Sequence, residues 1–300
     1  MVRHGPTLLL TAVLFTAVAY VAVIVRADFE NRRAEVRLEL RGGLDRFVDV
    51  TRRLFRGYEA VARTLAETDC VRGRGRHPCG DLFTRVNRAN PGVVNFAAID
   101  SDGRFFASGR PFPPSGPPDA HDYPFFAELA AGRGELYVMD PHEGPVTGEP
   151  VTGLVVAMRD ADGRFDGVIG ASVRFSELVS AWREVRAPDE HIGLVVLDRH
   201  LTPIFASPQA DAFVASGPDQ AQLKAALAAG QGLLSLGGGE WRYATQTLPD
   251  YGWSVIALHP AAFGWGEYLS EGMLLRLLPP MLALGGLALA LSWRDWRNVL

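Results

Sequence analysis

Residues 93–108 read VVNFAAIDSDGRFFAS: an apolar run, an Asp-Gly turn at Asp102-Gly103, and a second apolar run. Asp-Gly between two β-prone runs is a strong hairpin signal, because glycine supplies the positive φ that the turn requires. Strands are expected over 93–99 and 104–108. The unit recurs twice. Asp160-Ala161-Asp162-Gly163 joins strands expected at 150–158 and 165–175, and Asp198-Arg199-His200 joins 192–197 to 203–206. Further strands are expected at 135–139, 232–236, 240–248 and 252–258. Helical patterns fall at 81–88, closed by Asn90-Pro91-Gly92, and at 124–131, 176–185 and 218–229. This order predicts an α+β protein with two successive modules of five-stranded antiparallel sheet, helices lying on one side of each. The two modules share element order rather than residues.

Upstream, residues 28–67 read as one long helix. Leu40, Leu44, Phe47, Leu54, Tyr58, Val61 and Leu65 recur at spacings of three, four and seven. A bend is expected at Gly42-Gly43, since each glycine costs a helix about 1 kcal/mol against alanine. The stripe is too broad for a solvated stalk, so it is expected to pack along the globular region or a partner. Its heptad-spaced members suggest a homodimer.

Two apolar runs bracket the chain. Residues 7–25 (TLLLTAVLFTAVAYVAVIV) carry no charge, and a second run covers about 277–293. Each approaches the ~20 residues needed to cross a bilayer, and they are read as two transmembrane helices, at 7–25 and 274–293. The first exceeds a signal-peptide core and lacks a small-x-small cleavage site, so it reads as an uncleaved anchor. Arg26, Arg32, Arg33, Arg37 and Arg41 follow the first run and only Arg3 precedes it. Taken alone, that charge bias would hold the loop in the cytoplasm. Large domains cross largely regardless of charge, however, and Asp28, Glu30, Glu35 and Glu39 make the stretch a helix surface.

Composition narrows the function. Of 300 residues, 48% are hydrophobic and 21% charged, enough apolar material for a real core. A net charge of −4 argues against a nucleic-acid partner. Lys224 is the only lysine, and arginine cannot act as a Schiff-base amine. The two cysteines, Cys70 and Cys79, flank a Gly/Pro-rich loop. Their spacing lacks the two-residue gap of a zinc hairpin and only His77 is near, so a disulfide in an oxidising compartment is the expected pairing.

Several segments, in order, resemble the double-Cache family, the extracytoplasmic sensor regions of bacterial histidine kinases, chemoreceptors and diguanylate cyclases. The hairpin at 95–104 resembles the family's first. His121-Asp122-Tyr123-Pro124-Phe125-Phe126 stands where that family has Ser-Asp-Arg-x-Tyr-Phe. Thr147-Gly148-Glu149-Pro150-Val151 resembles its Thr-Gly-x-Pro-Val turn. Residues 159–170 resemble the strand pair that closes the distal module, and Tyr251-Gly252-Trp253-Ser254-Val255 resembles the last proximal strand. The resemblance covers about 28–270. It implies a ligand pocket in the distal module, between the sheet and an overlying loop and short helix. Amino-acid-binding members clamp the ligand carboxylate with an Arg and the ammonium with an Asp. Tyr123 and Ser172 occupy those two positions here, so both charged clamps are absent.

Other patterns carry less. The Asp-x-Asp-Gly turns lack the carboxylate that a calcium loop needs at position twelve, where Pro111 and Ala171 stand. Gly237-Gly238-Gly239 has no Gly-Lys-Ser/Thr after it. No Gly-x-Ser-x-Gly or His-Glu-x-x-His is present, so no enzyme activity, resident metal or cofactor is expected. His121 and His142, with Asp122, Asp140 and Glu143, are a candidate cluster on the pocket rim.

The sequence thus predicts a two-pass bacterial inner-membrane receptor subunit with a periplasmic loop. Its segments are a transmembrane helix (7–25), a stalk helix (28–67), a distal module (68–185), a proximal module (186–260), a second transmembrane helix (274–293) and a cytoplasmic tail (294–300). The candidate ligand-binding residues are Arg110, His121, Tyr123, Phe125, Phe126, Tyr137, Asp140, His142 and Ser172. The expected partners are a small-molecule ligand, the lipid bilayer, a second copy, and a cytoplasmic output domain or partner kinase or cyclase. The rival reading is a membrane-anchored assembly protein that uses the loop as a docking surface.

Overall fold

The computed structural model describes residues 5–73, 79–185, 191–236, 239–261, 279, 281–286 and 290. It comprises two units, Glu39–His259 and the terminal segments Met1–Leu38 with Pro260–Leu300. Helix α1 (Gly5–Ala66) is continuous from the first apolar run to the end of the stalk. The helix passes Gly42-Gly43 unbroken. In the terminal segment, Arg26 pairs with Glu30 and Arg32 with Asp28 along the helix surface, and Arg33 lies 3.9 Å over the Phe29 ring. Among the described residues no helix is long and apolar enough to cross a membrane. The second apolar run lies largely outside those residues, and the expected tail at 294–300 wholly outside.

In the larger unit, the α1 stripe is used by the chain itself. Leu40, Leu44, Phe47 and Leu65 are buried, with Thr51, Phe55 and Ala62 beside them. Leu54, Tyr58 and Val61 of the same stripe are only half-buried. After α1 come α2 (Asp69–Arg72) and α3 (Gly80–Ala89), tied by the Cys70–Cys79 disulfide with 5.4 Å between Cα atoms. The short α2 has no apolar period and was not expected from sequence.

The first sheet holds β1 (Val93–Ile99), β2 (Phe105–Ser108), β3 (Leu136–Glu143), β4 (Pro150–Arg159) and β5 (Phe165–Arg174). Its order is β2-β1-β5-β4-β3, with every pair antiparallel. Helix α4 (Pro124–Ala130) covers one face, burying Phe125, Phe126 and Leu129, and α5 (Phe175–Glu184) leads out. The second sheet holds β6 (Gly193–Leu197), β7 (Pro203–Ala206), β8 (Gln231–Leu236), β9 (Gly239–Leu248) and β10 (Trp253–Pro260), in the order β7-β6-β10-β9-β8. Helices α6 (Asp211–Ala215) and α7 (Gln220–Ala229) bury Phe213, Leu223 and Ala226 against it. A capping box at Asp219 and Gln222 starts α7, and left-handed Gly230 ends it.

The two sheets repeat one strand order, and the repeat extends to turn chemistry. Asp100 Oδ1 accepts the amides of Asp102 (3.0 Å) and Arg104 (2.9 Å), and Asp160 does the same for Asp162 and Arg164. In the third turn, Asp198 Oδ1 accepts from His200 and Thr202, each at 2.8 Å. Gly103 and Gly163 take the positive φ of these turns, whereas the third places Leu201 there at φ 63°. Trp182 of α5 joins the helix to the second sheet. It lies 5.2 Å from both Phe47 and Phe205 and 5.9 Å from Trp253, and its indole donates to Thr51 Oγ1 at 2.9 Å.

Candidate functional site

One face of the first sheet is not fully filled by α4. On β1 the alternating residues Asn95, Ala97 and Ile99 point to it; on β5, Gly170 and Ser172 do. Asn95 and Ser172 are cross-strand partners, with Gly153 opposite Ser172 on β4. Above them lie Tyr123, Phe125 and the loop at 144–147. That loop is braced by its own backbone, Gly148 N donating to Gly144 O at 2.8 Å and Gly144 N to Glu149 O at 2.9 Å. Sheet, helix and loop border a partly open cavity of about 40 Å³.

The length of β3 decides two of the lining residues. The strand was expected to stop at 139 but continues to Glu143 through a bulge between Met139 and His142. Met139 and His142 oppose Gly153 and Val151, so two residues of β3 face one of β4. That extra residue reverses the alternation. Met139 and His142 both reach the cavity, while Asp140 turns away from it.

The His142 ring is fixed by its own strand. Its Nδ1 lies 2.9 Å from the Asp140 carbonyl oxygen, which can only accept, so Nδ1 carries the hydrogen. In the neutral ring Nε2 is then an acceptor. Tyr123 stacks on Phe125 at 5.4 Å and meets His142 edge-on at 6.5 Å. Asn95 is buried, with Gly109 N donating to its Oδ1 (3.0 Å) and its own Nδ2 donating to Ser108 Oγ (3.1 Å). No Asp, Glu, Lys or Arg lines the cavity.

Four of the nine expected residues meet here: Tyr123, Phe125, His142 and Ser172. The other five lie elsewhere. Phe126, on α4, is buried against Phe165, at 5.5 Å. Tyr137 backs Phe125 at 6.3 Å without lining the cavity. Arg110 is exposed and does not line the cavity; its Nε donates to Val94 O at 3.1 Å. His121 packs on Phe126 at 5.7 Å, so the rim cluster with His142 and Asp140 does not converge. Among the described residues no group of three His, Cys, Asp or Glu could hold a metal ion. Sequence reasoning missed Asn95, Met139, Thr147 and Gly170 as lining. Asn95 had a signal, being the one polar residue of β1; Met139 and Gly170 had none.

Asp140 faces the second sheet instead. Arg199 Nε donates to Asp140 Oδ2 at 2.9 Å, and Arg199 Nη2 to Val138 O at 2.6 Å. The guanidinium lies 4.3 Å over the Tyr137 ring. Trp253 Nε1 donates to Asp140 Oδ1 at 3.0 Å. One carboxylate thus receives donors from the β6–β7 turn and from β10. Burial raises the Tyr137 phenol above its ordinary pKa, and the Arg199 cation partly opposes that rise.

A second cavity, of about 280 Å³, lies beside the opposite face of β4, at Val156 and Met158. Its rim is ionic and already paired. Arg63 holds Glu59, Arg72 holds Glu67, and Arg159 holds Glu135. The smaller, uncharged cavity is the better candidate for a ligand.

No protein-family model matches the chain, and no curated protein matches it in sequence. Solved structures do share its fold. The sensor domain of the V. cholerae histidine kinase DctB aligns with TM-score 0.55 and 14% identity, over 77% of this chain and 100% of that one. The extracellular domain of the putative histidine kinase rpHK1S-Z16 gives 0.56 and 17%, over 79% and 98%. The ligand-binding domain of the Pseudomonas fluorescens chemoreceptor CtaA, in complex with L-serine, gives 0.52 and 13%, over 78% and 98%. These are sensor and ligand-binding domains, not catalytic ones. The chain therefore shares the fold of these domains, a double-Cache-like arrangement of two five-stranded antiparallel sheets behind a long helix.

Proposed function

We propose that this chain is the extracytoplasmic ligand-sensing input region of a bacterial membrane receptor. The observation that carries the reading is the partly open cavity beneath α4 and the 144–147 loop, lined by no Asp, Glu, Lys or Arg, in a fold shared with sensor domains. The apolar runs at 7–25 and 274–293 would anchor the region at the inner membrane, with modules 68–185 and 186–260 in the periplasm. The disulfide agrees with an oxidising compartment. Output would come from a cytoplasmic domain or a partner kinase or cyclase.

A ligand shifts a conformational equilibrium only by its difference in affinity for the two states. A small molecule in the distal cavity presses on Phe125, His142 and the 144–147 loop. Through β3 it then bears on Asp140, where Arg199 and Trp253 take up the shift. From Trp253 the aromatic contacts continue through Trp182 to Phe47 on α1. β10 ends at Pro260, and the chain runs on toward the second apolar segment.

Tyr123 lines the cavity where amino-acid-binding members hold a carboxylate, and Ser172 where they hold an ammonium. Both offer only neutral hydrogen bonds, so the ligand would not be a free α-amino acid held in that family's usual manner. A thermal-shift screen of metabolites on the detergent-solubilised chain tests the reading. The expected result is a stabilising compound whose effect disappears in Gly170→Val. A stabiliser that ignores that substitution would place the site elsewhere. A micromolar amino acid lost on changing Tyr123 or Ser172 would overturn the neutral-clamp argument.

A further inference from the structure

We infer that the distal cavity takes a compact, uncharged ligand: a short-chain primary amide or alcohol of about three to five non-hydrogen atoms, donating a hydrogen bond to His142 Nε2. The inference rests on the proposed ligand-sensing role of this cavity and narrows its ligand. Size comes first. A cavity needs about 10–15 Å³ in this measure to hold one water, so about 40 Å³ accepts only a few water-sized groups.

Charge comes second. No Asp, Glu, Lys or Arg lines the cavity, and two charged side chains of its strands are engaged outside it. Asp140 is held by Arg199 and Trp253, and Arg174 by Glu149 at 3.2 Å. A carboxylate or ammonium entering here would lose its water without gaining a counter-ion, whereas a neutral group loses far less. Polarity comes third. With Nδ1–H on the Asp140 carbonyl, His142 Nε2 offers a lone pair, and the hydroxyls of Thr147 and Ser172 offer both donor and acceptor. An amide or hydroxyl satisfies that set. The remaining walls, Ile99, Phe105, Phe125 and Val155 among them, suit a methyl or ethyl end.

Gly170 supplies a clean block. A Cβ there would meet only Leu154 O at 3.6 Å and Val155 Cγ2 at 3.8 Å, ordinary contacts, so a side chain grows into the cavity without displacing backbone. The test uses the full chain in detergent and two isosteric pairs, acetamide with acetate and propionamide with propionate, read by saturation-transfer NMR and competition. Ligands this small bind no tighter than about a few micromolar. The amide of each pair should bind at least tenfold more tightly than its carboxylate. Gly170→Val should abolish amide binding, Gly170→Ala should weaken it, and His142→Phe should weaken it about tenfold. Thermal midpoints within a few degrees of the parent identify the folded variants, with Gly170→Ala as the mildest. Carboxylates binding as well as amides, or amides not binding at all, overturn the ligand class. If a compound from the metabolite screen still binds and is lost in Gly170→Val, the site stands and only the class falls. Amide binding that persists in Gly170→Val and His142→Phe overturns the site itself.

Discussion

Replacing Arg199 with alanine should uncouple the two sheets. The side chain makes a charge-assisted bond to Asp140 (2.9 Å), a second bond to the Val138 carbonyl (2.6 Å) and a stack on Tyr137 (4.3 Å). Arg199 and Asp140 each keep 25% of their side-chain exposure, so the ion pair is partly screened. A hydrogen bond to a charged group contributes about 1.5–3 kcal/mol and the stack about 0.5–1. After discounting for exposure, Arg199→Ala should cost about 3 kcal/mol. For a folded unit of this size that corresponds to roughly 6–12 °C of melting temperature. Arg199→Lys should recover the smaller part, because an ammonium cannot form the fork or the stack. The double-mutant cycle of Arg199→Ala with Asp140→Asn, followed by urea unfolding, should give a coupling of about 1–1.5 kcal/mol. The Tyr137 phenol should titrate still higher in Arg199→Ala, since the cation that lowers it is gone. A coupling below about 0.3 kcal/mol, with Tyr137 unmoved, would refute the latch: the two residues would then act independently.

Thiol labelling of the unreduced, denatured chain should find neither Cys70 nor Cys79 free, and replacing both with alanine should cost about 2.5 kcal/mol by urea unfolding; two labelled thiols would remove the bridge. Tyr58, Tyr137 and Tyr251 all have pKa values raised by burial, so each contributes stability that is intact below the unfolded value of about 10 and lost as pH rises through the higher native value. Unfolding free energy should therefore fall above about pH 10, with phenolate absorbance lagging that of the denatured chain; coincident titrations would contradict it. If two copies pair along α1, cysteines replacing exposed Asp45, Arg46 or Asp49 should cross-link between subunits, while cysteines at buried Leu44 or Phe47 should not. Equal cross-linking on both faces, or on neither, would take α1 out of the interface.

Much of the fold was legible because its signals are local. The Asp-Gly turns at 102–103 and 162–163 fix hairpins through one carboxylate and one positive φ, within five residues of chain. The α1 stripe was legible as apolar but not as to what covers it, since a heptad of leucines fits a second copy or the chain's own sheet equally well. Across 26–32, where the sequence turns from apolar to charged, i,i+4 ion pairs line the continuous helix. Helices α2 and α6 were missed because so few residues hold no period.

The site divides along the same line. Sequence by itself determined the two-module α+β order, the cysteine pair and the neutral residues Tyr123 and Ser172, because propensity, turn chemistry and motif position act over short stretches. Only the tertiary structure decided that His142 faces the cavity and Asp140 does not. One bulge residue in β3 reverses the alternation of every side chain after it, and that bulge is set by pairing with β4. Only the fold brings Arg199, 59 residues along the chain, onto Asp140, or leaves about 40 Å³ open between Gly170 and α4. Those outcomes depend on how separate elements pack, and no local stretch of sequence carries that information.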